Sequence, residues 1–188
     1  TFEGFETEQI REKLGLKKEL PALRVLGGGT GAQFRNDLIF SALADSTRFC
    51  QIIHITGHDK ARAVPTAENY HPFEFVHIDG MIKAYTAADL VISRCGLSTL
   101  TEISFLKKPA ILIPIPDSHQ ESNATIFDRA QAALILGQDG ITKEKFIAAV
   151  RETIKSHTNL RDYGDKAGNI IKIAAQSEIR NLIDDLVV

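Results

Sequence analysis

The stretch "DLVISRCGLSTLTEISFLKKPAILIPI", residues 89–115, decides the fold class because it holds a strand, a glycine turn, a helix and a second strand in succession. Its first and last segments, residues 89–93 and 109–115, hold the uninterrupted apolar runs 90–92 and 110–113 and are rich in β-branched residues, which favours buried strands. Residues 98–107 between them have helical character. Strands that are apolar at every position, rather than at every second one, are typical of a parallel sheet covered by helices on both faces.

The same alternation continues on both sides of this stretch. Further strands are predicted at residues 23–27, 49–55, 73–78 and 132–136. Further helices are predicted at residues 31–45, about 58–68, 79–88, 119–131 and 142–155. The chain is therefore predicted to be an α/β protein with a doubly wound, Rossmann-like parallel sheet of about six strands and helices on both faces.

The 188 residues have the length of one domain. Residues 1–20 are interpreted as a charged connector helix or linker, and residues 21–188 as the Rossmann-like domain. Residues 165–188 are predicted to end the domain as a helix, since apolar residues recur there at helical spacing. That apolar face packs either on this domain or on a partner domain that the chain lacks.

Composition excludes several classes of protein. The hydrophobic fraction of 44% and the charged fraction of 24% are ordinary for a soluble domain, and no apolar run approaches the roughly 18 residues of a membrane span. A net charge of −2 without a basic stripe argues against a nucleic-acid partner. Residues 1–16 contain no apolar signal region, so we expect a cytoplasmic protein. Cys50 and Cys95 form neither a metal spacing nor a disulfide framework.

Ligands of doubly wound folds bind beyond the carboxyl ends of the strands, which directs attention to the loops that follow them. The first such loop is "GGGTGA", residues 27–32, where glycines let backbone amides approach an anion at a helix N-terminus. No Lys-Ser/Thr pair follows Gly31, so this is not a Walker loop. A phosphate contact and a plain tight turn both remain open for it.

The second loop lies in "SRCGLSTLTEI", residues 93–103. One interpretation is structural: Thr99 and Glu102 fit the spacing of a capping box, in which the glutamate caps the helix start. The other is functional: residues 96–99 offer amides and hydroxyls to an anion, and Glu102 offers two carboxylate oxygens to the vicinal hydroxyls of a ribose. Both interpretations compete for one side chain.

The third loop ends in "HQESNA", residues 119–124, where Asp117 or Ser118 is predicted to cap a helix. At helical spacing, His119, Gln120 and Asn123 share one side of the first turns. These uncharged groups suit sugar hydroxyls better than a metal ion, although a solvated polar turn explains them as well. No metal and no cofactor are predicted.

No nucleophile or general base is evident in the chain. The sequence lacks a GxSxG elbow, and the other histidines, His54 among them, are interpreted as structural groups. Cys95 precedes a predicted helix N-terminus that would lower its pKa, or it is simply a small residue in a tight turn.

Taken in order, "GGGTGA", "HITG", "HIDGM", "AADLVISRCGLSTLTEI", "KPAILIPIP" and "HQESNA" resemble the nucleotide-sugar-binding half of the MurG family. Members of that family are GT-B glycosyltransferases that transfer N-acetylglucosamine from a UDP donor to a lipid-linked acceptor. The resemblance covers about residues 22–136. It implies that this chain is the C-terminal, donor-binding half of a GT-B fold.

The resemblance also assigns roles to residues. It implies that Glu102 holds the donor ribose, and that the main chain of Ile78, at the end of the third strand, reads the uracil. His119 and Gln120 are expected to contact the sugar hydroxyls, with Asn123 supporting them. The diphosphate is expected to face a loop formed by Gly96, Leu97, Ser98 and Thr99. Gly29 and Thr30 occupy the first-loop phosphate contact, where the family usually has Ser-Gln.

The mechanism that the resemblance implies is inverting displacement at the anomeric carbon, without a metal ion. In the family, an N-terminal domain carries the acceptor site, the membrane contact and the general base. This chain has no such domain, so it is expected to bind a UDP-sugar without turning it over, and to meet the lipid-linked acceptor at the inner face of the membrane through the missing domain or a partner subunit.

Three alternatives remain open. The first keeps the fold but changes the sugar or reaction, as in a glucosyl- or galactosyltransferase acting on diacylglycerol or a UDP-sugar hydrolase. The second is a non-catalytic donor-binding subunit of a two-chain glycosyltransferase. The third is a dinucleotide oxidoreductase, against which the missing acid after the second strand argues.

Overall fold

The structure is a computed structural model that describes residues 6–26, 32–58 and 64–171. Its strands are β1 (Ala22–Leu26), β2 (Gln51–Ile55), β3 (Tyr70–Phe73), β4 (Leu90–Ser93), β5 (Ala110–Leu112) and β6 (Leu134–Ile135). Its helices are α1 (Thr7–Lys13), α2 (Ala32–Ser46), α3 (Ile78–Ala87), α4 (Leu97–Phe105), α5 (His119–Arg129), α6 (Lys143–Lys155) and α7 (His157–Ala167).

The six strands form one parallel sheet in the order β3-β2-β1-β4-β5-β6. Helices cover both faces of it. On one face, Ile39 of α2 and Phe146 of α6 pack on Leu23 of β1. On the other, Ile103 of α4 and Phe127 of α5 belong to a second apolar cluster. The predicted doubly wound, Rossmann-like sheet of six strands is confirmed.

Alternation of side chains along the central strand explains the two-sided core. Leu23 and Val25 of β1 point to the α2 and α6 face, and Ala22 packs with Ile10 of α1 on the other. Arg24 also lies on β1 and is completely buried. A charged side chain in this position is unusual, because burying an ion is costly unless it is paired.

Three predicted elements need correction. The third strand covers residues 70–73 instead of 73–78, because its partner β2 ends at Ile55, which pairs with Phe73. Residues 64–67 are not helical, so the prediction of a helix at about 58–68 is wrong there, and residues 59–63 lie outside the described part of the chain.

The last helix begins at His157 and ends at Ala167, whereas a helix was predicted at residues 165–188. Residues 168–171 form a turn, and residues 172–188 lie outside the described part of the chain. Ile170 and Ile171 pack against the cluster that contains Phe127. This part of the apolar tail therefore covers the domain itself.

Candidate functional site

The predicted site residues follow the carboxyl ends of neighbouring strands. The order β1-β4-β5 brings the loops after these three strands to one edge of the sheet, and the strand order reverses between β1 and β4. Doubly wound folds bind ligands in the crevice at such a reversal. Gly29 and Thr30 lie outside the described residues, and the described part of the site consists of the loops after β4 and β5 and of helices α3, α4 and α5.

The N-terminus of α4 provides free backbone amides. Its N-cap is Gly96, which has no side chain to accept from the first turn. The amides of Leu97, Ser98 and Thr99 begin the helix and have no acceptor within it. Leu97 is 66% exposed, so this turn faces solvent. Such a helix start attracts an anion, because unpaired N–H groups and the helix dipole act together.

The first turn of α5 holds the loop after β4 in place. Ser118 is its N-cap and accepts from the amide of Gln120 at 3.2 Å, which confirms one of the two predicted caps. The side-chain Oε1 of Gln120 accepts from the amides of Cys95 and Ile115, both at 3.2 Å. The side-chain amide of Asn123 donates to the Cys95 carbonyl at 2.9 Å. Gln120 and Asn123 therefore clamp α5 to the turn that precedes α4.

His119 and the predicted uracil contact occupy two other positions at this edge. His119 is the first residue of α5 and is exposed. Ile78 is the first residue of α3 and is 77% exposed, so it does not end the third strand as predicted. The loop of residues 74–77 separates it from β3.

Glu102 does not cap α4. Thr99 lies inside the helix and not at its N-cap, so the capping-box interpretation is wrong. Instead, the Tyr85 hydroxyl on α3 donates to Glu102 Oε2 at 2.6 Å. Within the described part of the chain, the other carboxylate oxygen of Glu102 has no donor. Glu102 is partly exposed, and this second oxygen is available to a ligand.

Arg94 connects the loop after β4 to the loops after β5 and β6. Its Nη1 donates to the carbonyls of Ile113 and Pro114, both at 3.0 Å, and its Nη2 donates to Gln138 Oε1 at 2.6 Å. The neighbouring Cys95 is buried, and burial raises the pKa of its thiol to about 12 although Arg94 opposes the shift. The alternative of a thiol activated by the helix N-terminus is therefore wrong.

His54 is a structural group, as predicted. It is buried on β2, with Nδ1 at 2.9 Å from the Tyr70 hydroxyl and Nε2 at 3.0 Å from Asn36 Oδ1. Burial, helped by Arg35, lowers its pKa from 6.5 to about 3. His54 therefore stays neutral at physiological pH and ties α2 to the sheet.

Sequence reasoning missed Arg24 and Tyr85. The guanidinium carbon of Arg24 lies over the Tyr85 ring, 3.5 Å from its centre, and the hydroxyl of the same ring donates to Glu102. The arginine had a signal, since it is the one charge within the strand "ALRVL". Tyr85 had none, because its contact with Glu102 joins two helices that are separated by a strand.

Two other features do not belong to this site. A groove of about 810 Å³ lies at the opposite edge of the sheet, and its lining includes residues of α6 and α7 and residues that precede strands, Pro21, Phe49 and Asp89. Among the described residues, no three His, Cys, Asp or Glu side chains gather as a metal site, and no helix has the length and apolar character that crossing a membrane requires.

Comparison with known proteins identifies the family. Residues 22–185 match the model of the glycosyltransferase family 28 C-terminal domain. The chain belongs to glycosyltransferase family 28. The predicted resemblance to the C-terminal domain of the MurG family is also confirmed, because the relatives and the solved structure described next belong to that family.

One relative, from Synechocystis sp., is 33% identical over 94% of this chain and 52% of its own length. Another, from Myxococcus xanthus, is 37% identical over 87% of this chain and 45% of its own length. Both are named UDP-N-acetylglucosamine–N-acetylmuramyl-(pentapeptide) pyrophosphoryl-undecaprenol N-acetylglucosamine transferase. The crystal structure of MurG from Acinetobacter baumannii superposes with a TM-score of 0.74 and 25% identity, over 98% of this chain and 54% of that one.

The family 28 domain thus spans about half the length of these relatives.

Proposed function

We propose that this domain binds UDP-N-acetylglucosamine and is the donor half of an inverting glycosyltransferase that acts on a lipid-linked acceptor of the peptidoglycan-precursor type. One observation carries the proposal: the uncapped N-terminus of α4 lies between Glu102, one turn into the same helix, and the first turn of α5, which is clamped to the loop before it. An anion site, a carboxylate for a diol and polar groups for a sugar are thereby adjacent.

Each part of the donor has a partner in this arrangement. The diphosphate faces the amides of Leu97, Ser98 and Thr99, where the helix dipole favours negative charge. The ribose hydroxyls donate to the carboxylate of Glu102. The main chain at Ile78, the first residue of α3, reads the uracil edge. Gly29 and Thr30 belong to the same proposal as a second phosphate contact.

The sugar lies against the start of α5. The Oε1 of Gln120 already accepts from two backbone amides, so its side-chain NH₂ is the group that remains for sugar oxygens. His119 is exposed beside it and provides a second polar contact. Asn123 supports the loop through the Cys95 carbonyl and does not itself contact the sugar.

The proposed chemistry depends on the same helix N-terminus. As the bond from the anomeric carbon to the diphosphate breaks, negative charge grows on the departing UDP. The amides that begin α4 stabilise this charge in the way that an oxyanion hole does. The described residues provide donor-binding groups at this edge, and the general base is proposed to lie in the acceptor-binding part of the complete protein.

The length of the relatives supports a two-domain enzyme. Because the chain spans about half of them, an acceptor-binding domain is proposed to precede it or to come from a partner subunit. The names of the relatives include an undecaprenol-linked substrate, so the complete enzyme is proposed to work in the cytoplasm at the inner face of the membrane. The domain alone is expected to bind donor without turnover.

Titration calorimetry tests the proposal with UDP, UDP-N-acetylglucosamine, ADP and NAD. Uridine nucleotides should bind, and Glu102→Gln should weaken them about 10- to 150-fold, which corresponds to the roughly 1.5–3 kcal/mol of a charged hydrogen bond. Glu152→Gln, at an exposed position of α6, is the matched control and should bind like the wild type. Equal affinity for ADP would refute uridine recognition, and a panel of UDP-sugars separates N-acetylglucosamine from glucose and galactose.

A further inference from the structure

Arg24 is a buried cation in the middle of the sheet. It lies on β1, which is flanked by β2 and β4, and none of its surface is exposed. Its Nη2 contacts the sulfur of Met81 on α3, and its guanidinium stacks on the Tyr85 ring. Among the described residues, Nε and Nη1 of Arg24 have no hydrogen-bond partner.

Stability alone does not account for this arginine. Burial lowers the pKa of Arg24, while Tyr85 and Glu102 oppose the shift through their negative electrostatics. No carboxylate among the described residues forms an ion pair with it. An apolar residue of similar volume in such a place is commonly as good or better for stability. A role other than stabilising the fold is therefore needed to explain Arg24. Its two electrostatic neighbours, Tyr85 and Glu102, indicate a role at the candidate site.

Tyr85 links Arg24 to Glu102. The cation lies against the ring, and the hydroxyl donates to Glu102 Oε2 at 2.6 Å, which is short for a bond between two oxygens. A positive charge beside the ring withdraws electron density from the phenol and makes its O–H a stronger donor. Burial raises the pKa of Tyr85, so the phenol keeps the proton that it donates.

The same contacts join the two helices that carry the proposed nucleoside contacts. Tyr85 and Met81 lie on α3, which begins at Ile78, and Glu102 lies on α4. The side chains of residues 78, 81 and 85 lie along one side of a helix, because they are three and four positions apart. The Tyr85–Glu102 bond therefore fixes the distance between the start of α3 and the carboxylate.

We propose that Arg24 and Tyr85 are positioning residues that orient the Glu102 carboxylate for a ribose diol, and so make the site selective for ribonucleotides over deoxyribonucleotides. Tyr85 occupies Oε2 and holds the carboxylate in one rotamer, so that Oε1 meets the ribose hydroxyl. Arg24 stacks on the Tyr85 ring and strengthens the hydrogen bond from the Tyr85 hydroxyl to Glu102. The inference rests on the proposed function, in which Glu102 binds the donor ribose.

Calorimetry with UDP and 2′,3′-dideoxy-UDP isolates the contribution of the hydroxyls. The wild-type domain should bind UDP roughly tenfold or more tightly than the dideoxy analogue, since the analogue cannot donate to Glu102. Tyr85→Phe keeps the ring and removes the hydroxyl. It should reduce the ratio of the two affinities to about threefold or less by weakening UDP, while the affinity for the analogue changes little.

Tyr70→Phe is the matched control for this variant. Tyr70 is also buried, and its hydroxyl bonds to His54 on β2 instead of to Glu102. This substitution removes a buried phenol of the same kind far from α4. It should leave the wild-type ratio of affinities unchanged.

Arg24→Met provides a second and independent test. Because it replaces an incompletely paired buried charge with an apolar chain, its melting temperature should equal or exceed that of the wild type. Its preference for UDP over the dideoxy analogue should nevertheless fall at least threefold. A loss of preference without a loss of stability is the result that a purely structural arginine would not produce.

The outcomes distinguish the ribose role of Glu102 from the positioning roles of Arg24 and Tyr85. A wild-type domain that binds UDP and its dideoxy analogue equally would refute the ribose role of Glu102, and with it this part of the proposed function. A wild-type domain that discriminates, together with a Tyr85→Phe variant that discriminates equally, would overturn the positioning role alone. So would a variant that loses affinity for both ligands in the same proportion, or an Arg24→Met variant that keeps the preference, whatever its melting temperature.

Discussion

Lowering the pH should destabilise this domain through His54. Asn36 donates from Nδ2 to the Thr56 carbonyl at 3.1 Å, which turns its Oδ1 toward the imidazole. Nε2 of His54 must therefore carry the proton, and Nδ1 accepts from the Tyr70 hydroxyl. The pocket fits a neutral ring, because protonation of Nδ1 would remove the acceptor of the Tyr70 hydroxyl and add a buried positive charge near Arg35.

The size of the effect follows from the pKa values. In the unfolded chain His54 has its ordinary value of 6.5, and in the folded domain burial lowers it to about 3. Between these values the unfolded state binds the extra proton, so the free energy of unfolding falls as the pH falls. From pH 7 to pH 5 the loss from this one group is about 2 kcal/mol, and it continues at roughly 1.4 kcal/mol per pH unit toward pH 3.

Urea denaturation at pH 7 and pH 5 measures this loss. His54→Gln keeps a donor and an acceptor but cannot be protonated, so the difference between the two pH values should shrink by about 2 kcal/mol relative to the wild type. His157→Gln changes an exposed histidine and is the matched control, with the wild-type difference retained. A His54→Gln variant whose stability falls with pH as steeply as that of the wild type would refute the assignment of a neutral, buried His54.

Three further substitutions test the packing around the site, each by urea denaturation at pH 7. Gln120→Leu leaves two backbone amides without their acceptor and should cost about 1–3 kcal/mol, whereas Gln120→Glu keeps an acceptor oxygen and should cost less. Phe127→Ala should cost about 3–5 kcal/mol, because the ring is buried in the core beneath α5. Gly164→Ala would place a methyl group 2.3 Å from the Lys107 carbonyl and should cost about 1–3 kcal/mol, while Gly137→Ala, which meets no atom within 4 Å, should cost nothing measurable.

The sheet was predictable because its central strands are short, mostly apolar runs without a two-residue alternation. Leu90 to Ser93 and Ala110 to Leu112 are completely or almost completely buried, and their sequence alone indicates such strands. The third strand was misplaced because the extent of an edge strand is set by its neighbour. Phe75 continues the apolar alternation of "FEFV", yet β2 ends at Ile55 and leaves nothing for it to pair with. An edge position also tolerates Pro72 in the strand.

The candidate site was only partly predictable, because half of it depends on contacts between distant segments. The spacing of Thr99 and Glu102 fits a capping box, but the N-cap is Gly96, three residues before Thr99, and the Glu102 carboxylate bonds to Tyr85 instead. No local pattern connects residues 24, 85 and 102. They meet because α3 packs on β1, where Tyr85 stacks on Arg24, and because Tyr85 of α3 also bonds to Glu102 of α4.

Gln120 shows how one side chain can serve both the fold and the proposed ligand. Two backbone N–H groups point at its Oε1, which assigns the orientation of the amide and leaves NH₂ as the free end. The free NH₂ group of Gln120 can donate hydrogen bonds but cannot accept them. It can therefore bind the oxygen atoms of a sugar but cannot accept from its O–H groups. Recognition of those protons must then come from an acceptor at the same edge, and in the proposed function the partly exposed carboxylate of Glu102 binds the ribose. The exposed imidazole of His119 is the neighbouring group that can accept, which makes the pair His119 and Gln120 complementary in hydrogen bonding instead of redundant.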